Sequence, residues 1–292
     1  MGCSDPVLMI YVSCPQRQAE YRNGVIVCQT LCETQVDATD CVALGFLSNG
    51  RDPVVDLALP KTGTWRALDR ALAMFNQAMP DRGHLADLPC GTGYLSARAS
   101  QAGWRVTPAD LRPERWQGPP DLYPIYADLH AQLPFSSNAF DALGCCEGLE
   151  HIENPWLALR EFYRVVRPGG SVIVSIPNTI DMRQRRRLLF RGFFGNYFPV
   201  DPTHINLMGP LVLCHAMLRI GYLIRDIGAV DIYGGTFHRL ASPLFRIGRK
   251  SLLPENVRNM LSRSDVLIGR TVLVLAEPGE KQNEEDNMHL LC

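Results

Sequence analysis

The chain has 292 residues, 46% of them hydrophobic, and a formal net charge of −1. That length holds one large α/β domain with a small appendage, and the balanced charge excludes a disordered chain or one that coats nucleic acid. No apolar run reaches the roughly 20 residues of a membrane-crossing helix. Met1–Pro6 carries no basic segment ahead of Val7–Val12, so no signal peptide is expected. Gly2 and Cys3 suggest lipidation, but Pro6 stands where that pattern wants Ser or Thr. A cytoplasmic protein is expected.

Residues 1–60 show no clear periodicity and read as an N-terminal extension. Cys14, Cys28, Cys32 and Cys41 could offer four thiolates to zinc, yet only Cys28 and Cys32 form a close pair. A degenerate, metal-free zinc-ribbon-like extension is the preferred reading, and no metal ligand is assigned. The other cysteines read as small apolar core groups.

From Thr64 to Met79, Trp65, Leu68, Leu72, Phe75 and Met79 recur at helical spacing behind a Thr64 cap. Strands then alternate with helices. Leu85–Asp87, Trp104–Asp110, Pro124–Asp128 and Phe140–Cys146 read as the first four strands. Asn154-Pro155 opens a helix with the stripe Leu159, Phe162, Tyr163 and Val166, closed by Pro168-Gly169-Gly170 ahead of a fifth strand, Ser171–Ile176. Gly221-Tyr222 to Val230 and Val266–Ala276 read as the last two strands, and 281–292 as a flexible tail. This order predicts an α/β fold: a Rossmann-like, doubly wound sheet, mostly parallel with an antiparallel last strand.

In such a sheet, ligands bind at the carboxyl ends of the strands near the switch point. Asp87 heads the turn Leu88-Pro-Cys-Gly-Thr-Gly93, which opens a helix at its far side. Asp110 ends the second strand, Asp128 the third, and Glu147 follows the fourth. One such acid alone reads as a solvated strand end. Four at the same edge point to a ligand.

Asp87-Leu-Pro-Cys-Gly-Thr-Gly93 resembles the first motif of the class I S-adenosylmethionine-dependent methyltransferases. Asp128 with Leu133-Pro-Phe and Phe140-Asp141, the run Leu149-Glu-His-Ile-Glu-Asn-Pro155, and Arg164-Val-Val-Arg-Pro-Gly-Gly170 resemble its later motifs. The similarity covers about residues 64–230 and is strongest to the subgroup with ubiquinone-type methyltransferases. It implies S-adenosylmethionine as cofactor and a methyltransferase domain over 61–280, with an acceptor cap at 179–215 and an insertion at 233–264. It also implies that Asp87, Cys90, Gly91 and Gly93 form the turn under the methionyl part, and that Asp110 and Leu111 lie at the ribose. Asp128 and Leu129 would hold the adenine, with Cys146 and Glu147 beside the sulfonium. Pro89 departs from the family's usual glycine and removes one amide donor.

The expected reaction is methyl transfer to a small molecule, most plainly at oxygen, with two histidines as base candidates. His151 follows the fourth strand, where bracing the next loop is its plain role. His204 lies in Asp201-Pro-Thr-His-Ile-Asn206, within the cap, and is favoured for acceptor contact. Arginines interleaved with apolar residues over Met182–Phe198 and Phe237–Arg263 suggest a hydrophobic or anionic acceptor, or peripheral membrane contact. Nucleic acid is not an expected partner. Two rivals are a nicotinamide oxidoreductase, against which Ser96 replaces the third glycine of the dinucleotide fingerprint, and a catalytically silent scaffold, for which Pro89 speaks.

Overall fold

The computed structural model describes residues 9–10, 17–22, 25–30, 65–195, 201–232 and 253–279. The chain forms two compact units, Met1–Pro53 and Val54–Cys292. In the first, where no periodicity is legible in the sequence, β1 (Met9–Ile10), β2 (Arg17–Arg22) and β3 (Val25–Thr30) form an antiparallel sheet in that order. Cys28 lies on β3, while Cys14, Cys32 and Cys41 lie outside the described residues. So do the Thr64 cap, 233–252 and the tail at 281–292.

The second unit is built on a seven-stranded sheet. Its strands are β4 (His84–Asp87), β5 (Arg105–Asp110), β6 (Ile125–Tyr126), β7 (Phe140–Cys146), β8 (Val166–Pro177), β9 (Tyr222–Val230) and β10 (Thr271–Pro278). The spatial order is β6-β5-β4-β7-β8-β10-β9. Every pair from β6 to β8 is parallel, and β10 runs antiparallel to both β8 and β9. This is the expected doubly wound sheet with an antiparallel last strand. The strand order reverses between β4 and β7, which opens a crevice at their carboxyl ends.

Strand side chains alternate between the two faces, so neighbouring residues feed different cores. Leu85, Ala142, Ile173 and Leu273 join Ala71, Phe75 and Leu95 on one face. Ala86, Leu143, Val172 and Val272 join Leu159, Phe162, Leu213 and Leu261 on the other. The first layer comes from α1 (Trp65–Ala78) and α2 (Tyr94–Gln101). The second comes from α3 (Pro155–Val165), α5 (Pro210–Ile220) and the short helix Glu255–Leu261. Between α3 and α5 in the chain, α4 (Met182–Arg191) is capped by Asp181, whose carboxylate accepts from the amides of Arg183 and Gln184.

Three element boundaries differ from expectation. The third strand is two residues long: only Ile125 and Tyr126 pair, with Ala109 and Asp110, at the sheet edge. The motif Pro168-Gly-Gly does not close a helix. Helix α3 ends at Val165, and the motif bulges within β8, where Phe140 pairs with Val166 but Ala142 pairs with Ser171. Gly170 permits that bulge, because a Cβ there would stand 2.5 Å from the Asp141 carbonyl oxygen. Finally, Val266–Ile268 belongs to a short helix, Ser264–Ile268, and β10 starts only at Thr271. A brief buried apolar run has no period that separates strand from helix.

Candidate active site

At the crevice lies a cleft of about 680 Å³, lined by the glycine turn, the end of β7, the 201–204 segment and the Arg270–Thr271 wall. The turn is held by its own main chain. Leu88 N donates to Gly144 O at 2.9 Å, Cys90 N to Ala109 O at 2.9 Å, and Gly93 N to Cys90 O at 2.9 Å. Gly91 and Gly93 sit at φ 54° and 97°, where a side chain is strained. A Cβ on Gly91 would meet nothing within 4 Å, so its face is open to the cleft. The Pro89 ring packs against Gly148, where a Cβ would come within 2.7 Å of Pro89 Cδ. The departure at Pro89 is thus accommodated by a second glycine, while the Cys90 amide donates to Ala109 O within the fold.

Asp110 closes the turn from the neighbouring strand. Its Oδ2 accepts from Gly91 N at 2.9 Å and its Oδ1 from Arg112 N at 2.8 Å. Each oxygen keeps a lone pair for a further donor. Asp87 lies beneath the turn, 1% exposed, and accepts from Ser96 Oγ at 2.6 Å. Burial raises its carboxyl to about 7. Gly93 is buried at the start of α2, against Trp116, and Leu111 is exposed. Asp128 accepts from the His130 amide at 2.9 Å, which holds its carboxyl below the usual range, and Leu129 beside it is buried. Of the expected cofactor residues, Cys90, Gly91, Asp110, Cys146 and Glu147 line the cleft, while Asp87, Gly93, Leu111, Asp128 and Leu129 are not among its lining residues. Cys90 and Cys146 are buried, which pushes both thiols up and leaves them as neutral, polarisable lining.

Glu147 stands on a strained backbone, φ 52°, at the carboxyl end of β7. Ser175 clamps it from β8: Oγ accepts from Glu147 N at 3.0 Å and donates to Glu147 Oε1 at 2.9 Å. Desolvation by the cleft walls raises its carboxyl to about 7. Burial raises both carboxyls, Asp87 and Glu147, and the Arg270 guanidinium partly offsets the effect at Glu147.

The opposite end of the cleft holds groups the sequence reading only partly assembled. His151 Nδ1 lies 2.9 Å from the Thr203 carbonyl oxygen, and its ring stands edge-on to His204 at 4.7 Å. His204 Nε2 is 3.7 Å from Asp201 Oδ2. Asn206 N donates to Glu150 O at 3.0 Å and so ties this segment to the Leu149–His151 turn. Both expected histidines therefore meet in one cleft. Glu150, Asp201, Asp231 and Arg270 also line it and were not singled out from sequence. They come from loops without periodicity; only the adjacency of Glu150 to His151 offered a signal. Ligand atoms of Glu150, His151 and His204 lie within 4.8 Å of one another. Metal bonds of about 2.0–2.2 Å would have to draw such a set inward.

This doubly wound fold, with a glycine turn and ordered acids at its switch point, defines a class. Residues 86–174 match the Methyltransferase domain family. The chain is 31% identical over 163 residues to a ubiquinone biosynthesis O-methyltransferase from Xanthomonas axonopodis pv. citri (strain 306), covering 52% of this chain and 67% of that one. It belongs to the class I S-adenosylmethionine-dependent methyltransferases. Within that class it is 29% identical over 158 residues to the ubiquinone biosynthesis O-methyltransferase of Aeromonas salmonicida (strain A449), covering 50% of this chain and 65% of that one. It is 33% identical over 123 residues to the demethylmenaquinone methyltransferase of Streptomyces griseus subsp. griseus, covering 40% of this chain and 51% of that one. The match thus spans about half to two thirds of these relatives. In fold it is similar to a SAM-dependent methyltransferase from Archaeoglobus fulgidus, with a TM-score of 0.50 at 15% identity, covering 72% of this chain and 94% of that one.

Proposed function

We propose that this chain moves the methyl group of S-adenosylmethionine to an oxygen of a small quinone-precursor-like acceptor. One observation carries the reading: a single cleft joins the glycine turn and its carboxylates to the imidazole pair. The oxygen acceptor is supported by two relatives whose names are O-methyltransferases.

Bound S-adenosylmethionine supplies an activated methyl. The turn Asp87, Cys90, Gly91 and Gly93 would lie under its methionyl part, Asp110 and Leu111 would hold the ribose, and Asp128 with Leu129 would hold the adenine. Glu147, whose carboxyl Ser175 fixes, and Cys146 would lie beside the sulfonium. His204 contacts the acceptor and His151 takes its proton. Positioning is the larger contribution, up to about 7–11 kcal/mol, and a base adds about 10²–10⁴-fold.

The open end of α4 suits a hydrophobic acceptor or the membrane that dissolves it. Leu189 and Phe190 are 78% and 76% exposed beside Arg186, Arg187 and Arg191. Among the described residues, no helix is long and apolar enough to cross a membrane. Residues 237–252 of the second basic-apolar stretch lie outside the described residues.

The test is calorimetry with S-adenosylmethionine and S-adenosylhomocysteine, followed by methyl transfer to a dihydroxybenzoate. Micromolar binding with turnover supports the reading. Binding without turnover across a panel of hydroxylated aromatics favours the scaffold role instead. His204→Ala is expected to lower kcat/KM at least about tenfold while cofactor affinity stays within about twofold; matched losses of both would make His204 structural.

The charge of the cofactor gives a second expectation. A cation beside Glu147 favours its ionised form, so binding releases a proton below about pH 7. S-adenosylmethionine affinity is expected to fall about tenfold from pH 8 to pH 6, the ratio that one required ionisation near 7 dictates. Glu147→Gln should flatten that dependence; an equally steep variant would remove Glu147 from the role.

A further inference from the structure

One wall of the cleft is cationic, and the transfer reaction above gives it no task. Arg270 is the only arginine or lysine among the described residues that line the cleft, where Asp110, Glu147, Glu150, Asp201 and Asp231 are acidic. A permanent positive charge in such a lining draws a negative group of the ligand to that wall.

Local structure fixes where the guanidinium starts. Arg270 immediately precedes β10, whose first residue, Thr271, pairs with Pro177 at the end of β8. Arg270 N donates to Val230 O at 3.0 Å, and Asn178 N donates to Arg270 O at 2.7 Å, so its main chain is held from both sides. Asn178, itself buried, also donates from Nδ2 to Val266 O at 2.6 Å and to Gly269 O at 2.8 Å. The Pro177-Asn178 step thereby anchors the approach to β10. These contacts involve the main chain of Arg270, and the residue is exposed at the cleft. Its charge reaches Glu147, whose carboxyl it lowers, while Asp231 receives Arg66 Nη1 at 2.6 Å.

Place on the sheet divides the cleft. The glycine turn follows β4, and Arg270 lies three strands away, past β7 and β8. At about 4.7–4.9 Å between neighbouring strands, that separation is roughly 14 Å. With the cofactor on the turn, Arg270 falls on the acceptor's side.

We propose that Arg270 is a specificity-determining residue that receives a single carboxylate on the acceptor, selecting hydroxylated aromatic acids over their neutral counterparts. The inference rests on the methyl-transfer reading for the acceptor's place in the cleft. A planar guanidinium meets a carboxylate through two parallel N–H donors. A phosphate monoester carries nearly two charges and would set them among five acids against one cation, so the singly charged group fits better. Anchoring one end of the ring also fixes which hydroxyl meets the imidazole pair, so Arg270 acts on orientation as well as affinity.

Calorimetry on the S-adenosylhomocysteine-bound protein tests this, with 3,4-dihydroxybenzoate and the near-isosteric 3,4-dihydroxybenzamide as acid and neutral probes. The wild type should bind the acid at least about tenfold tighter, and Arg270→Gln should weaken the acid about 10–100-fold and erase most of that preference. Arg270→Lys keeps the charge without the fork and should retain part of it. Arg270→Glu should reverse the order, favouring 3,4-dihydroxybenzylamine over the acid. The same order should appear in kcat/KM. Equal binding of acid and amide by the wild type overturns the assignment without any variant having to fold. So does an Arg270→Gln protein that keeps the wild-type preference, or one that weakens every probe alike, which would make Arg270 structural. Failure of the wild type to bind S-adenosylhomocysteine would count against the methyl-transfer reading, and the probes titrated into the protein alone would still decide whether Arg270 reads the carboxylate.

Discussion

Asp110→Ala is expected to weaken S-adenosylhomocysteine binding about a hundredfold or more. Two sugar hydroxyls would lose a charged acceptor, at about 1.5–3 kcal/mol per bond, and about 1.4 kcal/mol is a factor of ten. The loss has a second source within the protein. Asp110 also receives Gly91 N and Arg112 N at 2.9 Å and 2.8 Å, so its removal loosens the turn it closes. Asp110→Asn keeps one acceptor oxygen and should retain much of that closure, losing closer to tenfold. Calorimetry on the pair separates the two sources. Unchanged affinity in Asp110→Ala would take the ribose role away from this residue.

The second large effect concerns the turn glycines, which have opposite surroundings. Gly93 sits at φ 97°, and a Cβ there would stand 2.7 Å from Trp116 Cζ3 and 2.9 Å from the Gly118 Cα. Gly93→Ala therefore adds backbone strain to overpacking, together about 2–4 kcal/mol. At about 2–4 °C per kcal/mol for a domain of this size, the melting temperature should drop by roughly 4–16 °C. Gly91 at φ 54° has open space on its Cβ side. Gly91→Ala should cost only about 1 kcal/mol of strain yet place a methyl in the cleft, so binding should fall while the melting temperature nearly holds. Scanning calorimetry and cofactor titration on the two variants give the pattern. A Gly93→Ala protein as stable as the wild type would mean that Trp116 moves freely away.

What was legible in the sequence was local. The Asp87–Gly93 turn is a run of seven residues whose chemistry is carried by glycine, and Asn154-Pro155 announces its helix by the cap that Asn154 makes to Leu157 N. Strands buried on both faces read as short apolar runs, and acids at their carboxyl ends fall on one edge once the strands are parallel. Boundaries were less legible where a short segment depends on its neighbours. Val266–Ile268 forms a helix although it is as buried as the strand residues Val172–Val174, and Pro168-Gly-Gly bulges within β8, where Val166 already pairs with Phe140.

The sequence by itself determined the fold class, the glycine turn and the carboxylates ordered along the sheet edge, since each follows from residues near one another in the chain. Only the tertiary structure decided the imidazole end of the cleft. His151 reaches the Thr203 carbonyl across 52 positions, and Asn206 ties that segment to Glu150. No period or motif encodes such a meeting of loops. It arises where the 201–206 segment meets the Leu149–His151 turn, and it brings one buried carboxyl and two imidazoles into one place.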